Sequence, residues 1–274
     1  MKKLLITDLD DTLYSWIGFY IPAFYAMVDE LSKITNIDES ILLNEYRAVH
    51  QEKHNVEHPY ATLLLPSVKK AFPQYSEDQL RNGPLKEVFH RFNSERKKRL
   101  ILYPGVERML EQLTEAKIKV VGFTDSFEEN GYYRLRKLDV EKFFTKVYVY
   151  DRQYKPTNEY DTPKKVIHIA QKKPDPNVLL EICNNESIPL VDAIYMGDSM
   201  TKDIYMSYCA GIESIWVQKA VDSELYKKLV KISHWTKEDF ENDKSIKFEI
   251  NKLHITPTYT ISDLDEVTNI IYRN

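Results

Sequence analysis

Short apolar runs that stop at an aspartate, threonine or glycine alternate along this chain with amphipathic stretches. Lys3 to Thr7 reads as a buried strand ending at Asp8, Ile118 to Phe123 as a second ending at Thr124, and Ala193 to Met196 as one ending in Gly197-Asp198. Lys146 to Tyr150 and Ile212 to Val217 have the same strand character, whereas Val106 to Glu115 and Tyr132 to Leu138 are periodic as helices. Runs that are apolar throughout, without a polar alternate residue, fit strands buried on both faces, and strands that alternate with helices make a mostly parallel sheet. The expected fold class is therefore α/β, a Rossmann-like parallel-sheet core. Ligands of such sheets lie at the carboxyl ends of the strands, where this chain carries Asp8, Thr124 and Asp198.

Residues 14–103 break the alternation. Phe24, Met27, Val28 and Leu31, then Ile41, Leu42 and Tyr46, follow helical spacing, and no strand pattern intervenes. An inserted α-helical cap domain is expected over 14–103, with the core formed by 1–13 and 104–274. Tyr103-Pro104-Gly105 marks the return to the core. Later in the chain, Phe248 to Ile250 reads as an edge strand, and Ser262-Asp263-Leu264-Asp265 as a helix start capped by Ser262.

Composition narrows the functional classes. A net charge of -4 speaks against a dedicated nucleic-acid binder. No apolar run approaches the ~20 residues of a membrane helix. Cys183 and Cys209 stand in no metal-type spacing, and with no need of a disulfide framework in a chain this long, a reducing cytoplasm is the expected setting. The seven glycines are too scattered for a nucleotide-binding glycine loop, so phosphate chemistry here requires another cradle.

Four motifs supply one. Asp8-Leu9-Asp10-Asp11-Thr12-Leu13 follows the first strand directly. In an extended segment Asp8 and Asp10 share a side, where their repulsion favours one proton between them and suits a nucleophile paired with an acid. The same hard oxygens suit Mg²⁺. A second D-x-D, Asp263 to Asp265, opens a helix and reads as capping. The strand-end segment Gly122-Phe123-Thr124-Asp125-Ser126 offers a hydroxyl and a backbone N–H to a phosphate oxygen. In Lys173-Pro174-Asp175-Pro176, Asp175 caps a helix and fixes Lys173, whose ammonium can balance clustered carboxylates. In Gly197-Asp198-Ser199-Met200-Thr201-Lys202-Asp203, Asp198 completes a metal site and Asp203 supports it or Lys173.

D-x-D-x-T, a strand-end Thr, K-P-x-P and G-D-S-x-x-x-D in this order resemble the haloacid dehalogenase superfamily, over residues 1–13 and 104–217. The insert resembles, by position and length, the cap of the members that carry one between the first two motifs. The resemblance implies a Mg²⁺-dependent phosphatase acting on a small phosphate monoester. Asp8 would attack phosphorus and form an aspartyl-phosphate, and Asp10 would protonate the leaving oxygen and then activate water. Thr124, the Asp125 amide and Lys173 would hold the transferring oxygens. Mg²⁺ would lie between Asp8, the Asp10 backbone carbonyl and Asp198, with Thr12 and Asp203 as supports. The superfamily also contains haloacid dehalogenases, which lack an acid/base Asp at the position of Asp10, and phosphomutases, which keep it. A catalytically idle phosphate-binding module is the alternative outside enzymes.

Other signals are weaker. His54-Asn55-Val56-Glu57-His58 matches the H-x-x-E-H zinc pattern, which needs both histidines on one helical face, and Pro59 disfavours helix there. His50, His54 and Arg47 read first as a solvated surface and, as the alternative, as a helix face towards substrate; of Tyr14, Trp16, Phe19 and Tyr20 some are expected in the core, while Tyr14 and Trp16 could line the pocket. Glu95 to Arg99 reads as a solvated basic helix end, with attraction of an anionic substrate as the alternative. The stretch from Tyr148 to Lys172 is longer than the resemblance leads one to expect and contains Lys155-Pro156, a rival to Lys173; an extra loop or edge element is expected there.

Overall fold

The computed structural model describes residues 1–58, 60–151 and 163–273. Lys155-Pro156 lies outside the described residues. Contacts between Cα atoms divide the chain into two compact units. One comprises Met1–Ser15, Ile101–Ala220 and Asp243–Asn274, the other Trp16–Leu100 and Val221–Asn242.

The first unit is built on a seven-stranded sheet. Its strands are β1 (Leu4–Thr7), β2 (Lys119–Phe123), β3 (Lys146–Tyr150), β4 (Val166–Ile169), β5 (Ala193–Gly197), β6 (Glu213–Val217) and β7 (Tyr259–Ile261). The order is β4-β3-β2-β1-β5-β6-β7, and every pairing is parallel. β1 is central because it is buried along its whole length, with Leu4, Leu5 and Ile6 all inaccessible. Alternation sends Leu4, Ile6, Val121, Phe123, Ala193 and Tyr195 to one face. There they meet Val178, Leu179 and Ile182 of the helix Asn177–Glu186 and Met206 and Ala210 of the helix Tyr205–Ala210. The helix Val106–Glu115 buries Val106, Met109, Leu110 and Leu113 and packs beside β2 and the helix Glu266–Arg273.

Two edge elements differ from expectation. Phe248 and Ile250 lie in the helix Lys237–Lys252, not in a strand. Two apolar positions are too few to outweigh the i,i+4 ion pairs Lys237–Glu241 and Asp243–Lys247, which favour helix. At the last helix, Asp263 rather than Ser262 shapes the entry, its Oδ1 accepting the Asp265 N–H at 3.0 Å. β4 forms the edge of the sheet within the long stretch after Tyr148.

The second unit is helical among its described residues: Trp16–Thr35, Glu39–Glu52, Ala61–Leu64, Pro66–Ala71, Glu77–Asn82, Lys86–Arg99 and Ser223–Ile232. Phe24, Met27, Val28, Leu31, Leu42 and Tyr46 are buried, while Ile41 is half exposed. The segment 221–242, which the sequence reading assigned to the core, belongs to this unit. Ser223–Ile232 packs against both Trp16–Thr35 and Glu39–Glu52. Tyr25 donates to the Lys228 carbonyl at 3.1 Å, and His50 Nδ1 bonds the Ile232 carbonyl at 2.7 Å. Arg96 to Arg99 end a helix, where cations complement the dipole, and Glu95 pairs with Lys98 and Arg99.

Candidate active site

β1 delivers Asp8 to the carboxyl edge of the sheet, where it is 7% exposed. Its backbone N–H donates to the Met196 carbonyl at 2.8 Å, locking the end of β1 to β5. The chain then turns instead of extending. Asp11 adopts φ 58°, a left-handed conformation uncommon outside glycine, and the Leu13 N–H donates to the Leu9 carbonyl at 2.9 Å. The turn brings the Thr12 hydroxyl onto Asp8 Oδ2 at 2.9 Å.

Lys173 approaches Asp8 from the loop before the helix Asn177–Glu186. Its ammonium donates to Asp8 Oδ1 and, at 2.9 Å, to Asp203 Oδ1. The loop is held at both ends: the Lys173 N–H donates to Asp125 Oδ1 at 3.0 Å, and Asp175 Oδ1 accepts the Asn177 N–H at 2.9 Å. Asp125 also pairs with Lys202 at 2.9 Å. Burial works against the charge on Asp125, but Lys202 and Lys173 outweigh it and lower its pKa.

Asp203 is buried and fully engaged. Oδ1 accepts from Lys173 and from Tyr195 at 2.7 Å, and Oδ2 accepts the Ser199 N–H at 2.9 Å. A glycine is required beside it, because a Cβ on Gly197 would lie 2.3 Å from Asp203 Cγ. Asp198 follows that glycine, its backbone carbonyl accepting the Trp216 indole N–H at 2.7 Å.

Asp8, Asp198 and Asp203 each present an oxygen within 4.8 Å of the others. Three carboxylates thus face one ammonium. Burial pushes Asp8 well above the usual carboxylate range, Lys173 opposes the shift, and Asp203 and Asp198 add to it. Burial, then Asp203 and Asp11, push Asp198 up to about 8. Burial opposes the charge on Lys173, but Asp203 and Asp8 hold it as an ammonium. This excess of hard, negative oxygen is the donor chemistry that Mg²⁺ prefers, so the residues present fit that ion. The less committed carboxylates are Asp8 and Asp198; the hydrogen bonds of Asp203 give it a supporting place.

Asp10 departs from the expected pairing with Asp8. Its Oδ2 accepts from the Ser126 hydroxyl at 2.8 Å and lies 3.5 Å from the Thr124 hydroxyl. Its Oδ1 accepts from Arg134 at 2.6 Å. The turn at Asp11 ends the extended geometry that would have set the two carboxylates side by side. Asp8 is crowded instead by Asp198 and Asp203, which both follow β5 in the chain.

The structure therefore gathers Asp8, Thr12, Lys173, Asp198 and Asp203 in one constellation, and Asp10, Thr124 and Ser126 in an adjoining one. Asp125 links motif to motif through its side chain, a role beyond the amide contact expected of it. Sequence reading missed Arg134, Tyr195 and Lys202. No sequence signal singles out Arg134; its place follows from the packing of its helix, since a Cβ on Gly131 would lie 2.9 Å from the Thr124 methyl and this helix start must abut the end of β2. Tyr14 is inaccessible to solvent and forms bridges with Asp10 and Leu102, which removes it as a pocket-lining residue. His54 sits in a turn at φ 50°, so His54 and His58 do not share a helix face and the zinc pattern is not realised. His50 is buried rather than turned to a substrate.

Comparison with known proteins agrees with this geometry. A glyceraldehyde 3-phosphate phosphatase from Methanopyrus kandleri is 25% identical over 223 residues, covering 80% of this chain and 85% of the relative. A 2-haloacid dehalogenase from Pseudomonas syringae superposes with a TM-score of 0.60 at 19% identity, covering 100% of this chain and 99% of the other. A HAD phosphatase from Thermococcus onnurineus superposes at 0.52 with 16% identity, covering 99% and 98%. These two share the fold. Residues 2–211, which hold β1 to β5 and all four motifs, match the family of haloacid dehalogenase-like hydrolases as a whole, and the chain belongs to that family.

Proposed function

We propose that this chain is a Mg²⁺-dependent phosphatase that hydrolyses a small phosphate monoester through an aspartyl-phosphate on Asp8. The observation that supports this reading best is the environment of Asp8. A buried carboxylate at a strand end has Lys173 on one oxygen and Thr12 on the other, with Asp198 and Asp203 close by. An Asp8 oxygen attacks phosphorus while the bond to the ester oxygen breaks, and Asp10 gives that oxygen a proton. Asp10 then takes a proton from the water that attacks the aspartyl-phosphate, releasing inorganic phosphate and restoring Asp8. Lys173, Thr124 and the Asp125 amide hold the equatorial oxygens as charge gathers on them. Asp8, Asp198 and the Asp10 carbonyl would hold Mg²⁺, which when bound neutralises charge between the carboxylates and an anionic substrate.

The helical unit acts in this reading as a cap that selects the leaving group. Its first segment leaves the core after Ser15, just after the nucleophile motif in the chain, and the core resumes at Ile101. Cys183 and Cys209 are unpaired, which accords with a reducing compartment such as the cytoplasm.

A panel of phosphate monoesters, with glyceraldehyde 3-phosphate tried first, tests the proposal. The wild type should release inorganic phosphate in the presence of Mg²⁺, and both chelator and Asp8→Asn should abolish the release. Hydrolysis that persists in Asp8→Asn, or full activity in excess chelator, overturns the mechanism. Transfer of the phosphoryl group to a second hydroxyl in place of its release would show a phosphomutase.

A further inference from the structure

The helix Gly131–Lys137 brings a buried guanidinium to the acid/base carboxylate. Gly131 abuts Thr124 at the end of β2, and Arg134 follows one turn later. The Arg134 side chain is only 5% exposed. Burying a guanidinium is unfavourable unless it is paired and hydrogen-bonded. Arg134 donates to Asp10 Oδ1 at 2.6 Å, and the same nitrogen lies 3.5 Å from the Ser126 hydroxyl. Ser126 in turn donates to Asp10 Oδ2 at 2.8 Å. Tyr14, inaccessible to solvent, lies beside both members of the pair: burial raises its pKa, and Asp10 and Arg134 are its next strongest electrostatic neighbours. Asp10 is therefore gripped at both oxygens from the side of the fold, and its side chain keeps 21% exposure.

We propose that Arg134 is a positioning residue that, with Ser126, fixes the rotamer from which Asp10 exchanges protons with the leaving-group oxygen and with water. The inference rests on the acid/base assignment of Asp10 made above. It gives Arg134 a task in the first chemical step: as the bond from phosphorus to the ester oxygen breaks, the Asp10 proton must already point at that oxygen. An alkoxide needs that proton in order to leave. A nitrophenolate, a far weaker base, leaves with little help. Loss of positioning should therefore be selective for alkyl phosphates, whereas loss of fold is not.

The test compares kcat/KM for 4-nitrophenyl phosphate with kcat/KM for an alkyl phosphate that the wild type accepts. Arg134→Met keeps bulk and removes the charge. Its aryl-to-alkyl ratio should rise about 100-fold, the lower range of a general acid's contribution. Arg134→Lys, which retains a cation, should recover at least about tenfold of the lost alkyl rate, since the charge rather than the shape anchors Oδ1. Ser126→Ala removes one hydroxyl from a half-buried site and should move the ratio in the same direction by a smaller factor, which keeps the proposal testable if Arg134→Met does not fold. A ratio within about twofold of wild type in the folded variants, whether both rates fall together or neither falls, overturns the proposal, because general-acid effects exceed that margin. Asp10→Asn separates the two levels of inference. If it shows the selective loss and the Arg134 and Ser126 variants do not, only the positioning role fails. If it shows none in an active enzyme, the acid/base assignment fails and the positioning role falls with it.

Discussion

His50 should make the helical unit sensitive to mild acid. The imidazole is inaccessible to solvent and packs beside the rings of Phe24 and Tyr46. Nδ1 lies 2.7 Å from the Ile232 carbonyl and so carries the hydrogen, leaving Nε2 as a buried acceptor without a hydrogen-bond partner among the described residues. Protonating Nε2 would bury a charged N–H with nothing to receive it. Burial accordingly lowers the His50 pKa to about 4, with the Ile232 bond opposing and His58 adding to the shift. A depressed pKa on a base means that the unfolded chain takes up the proton first. The stability tied to neutral His50 is therefore complete above the unfolded value of about 6.5 and is lost as pH falls towards 4. At about 1.36 kcal/mol per pKa unit, the loss is about 0.2 kcal/mol at pH 7 and about 2 kcal/mol at pH 5. Urea unfolding at both pH values, followed by tryptophan fluorescence, reads this directly, because Trp16 and Trp235 belong to the same unit as His50. The reference is His50→Asn, whose amide can keep the Ile232 bond and cannot titrate. The wild type should lose nearly 2 kcal/mol more than the variant between about pH 7 and pH 5, since the remaining carboxylates and histidines titrate in both proteins. Equal losses in the two proteins would refute the burial argument.

Three further outcomes are expected. Gly197→Ala should drive Asp203 off Lys173 and Ser199 and destabilise the fold by about 3–5 kcal/mol, the cost of breaking a buried ion pair, seen as a lowered melting temperature with loss of turnover; a variant that melts like wild type would show that Asp203 can yield. Mg²⁺ should raise the melting temperature of the wild type by binding the native state, and the rise should vanish in Asp198→Asn; an equal rise in both would place the ion elsewhere. Substitutions at Trp16, Arg47 or His54 in the helical unit should reorder a panel of phosphate esters while sparing 4-nitrophenyl phosphate, and unchanged substrate ratios would dismiss the unit as the selector.

Much of the core is legible because β1, β2 and β5 are largely apolar runs that lead directly into the candidate site residues Asp8, Thr124 and Asp198. Val106–Glu115 and β3 fall at the expected positions. The failures have identifiable causes. β7 has three residues, and the threonine at its centre is exposed, so it offers no apolar run to recognise. The helix Ser223–Ile232 carries its own amphipathic stripe, ending in Leu229 and Ile232, and a stripe records that a face is buried but not against what. Its partners are Trp16–Thr35 and Glu39–Glu52, some two hundred residues earlier, and no local pattern encodes that choice. Arg134 is illegible for a related reason. Among the charged residues of Gly131–Lys137, only tertiary placement decides which one is buried.

The division of labour proposed for Asp8 and Asp10 draws on the same tertiary placement. Two carboxylates two residues apart in a continuous strand would share one environment, and their roles would have to be divided by mutual repulsion. The left-handed turn at Asp11 removes that constraint and lets each acquire its own cation, Lys173 for Asp8 and Arg134 for Asp10. The cations arrive from different directions, one from the loop before Asn177–Glu186 and one from Gly131–Lys137. Lys173 is shared with Asp203 and sits in a region of excess negative charge, which suits the proposal that Asp8 accepts a metal and a phosphoryl group. Arg134 grips Asp10 together with a neutral hydroxyl, which suits the proposal that Asp10 keeps one orientation through two proton transfers. A nucleophile needs charge compensation and an acid/base group needs fixed direction. The two kinds of partner supply these separately, so exchanging the cations by charge-reversing one pair should not be rescued by the other.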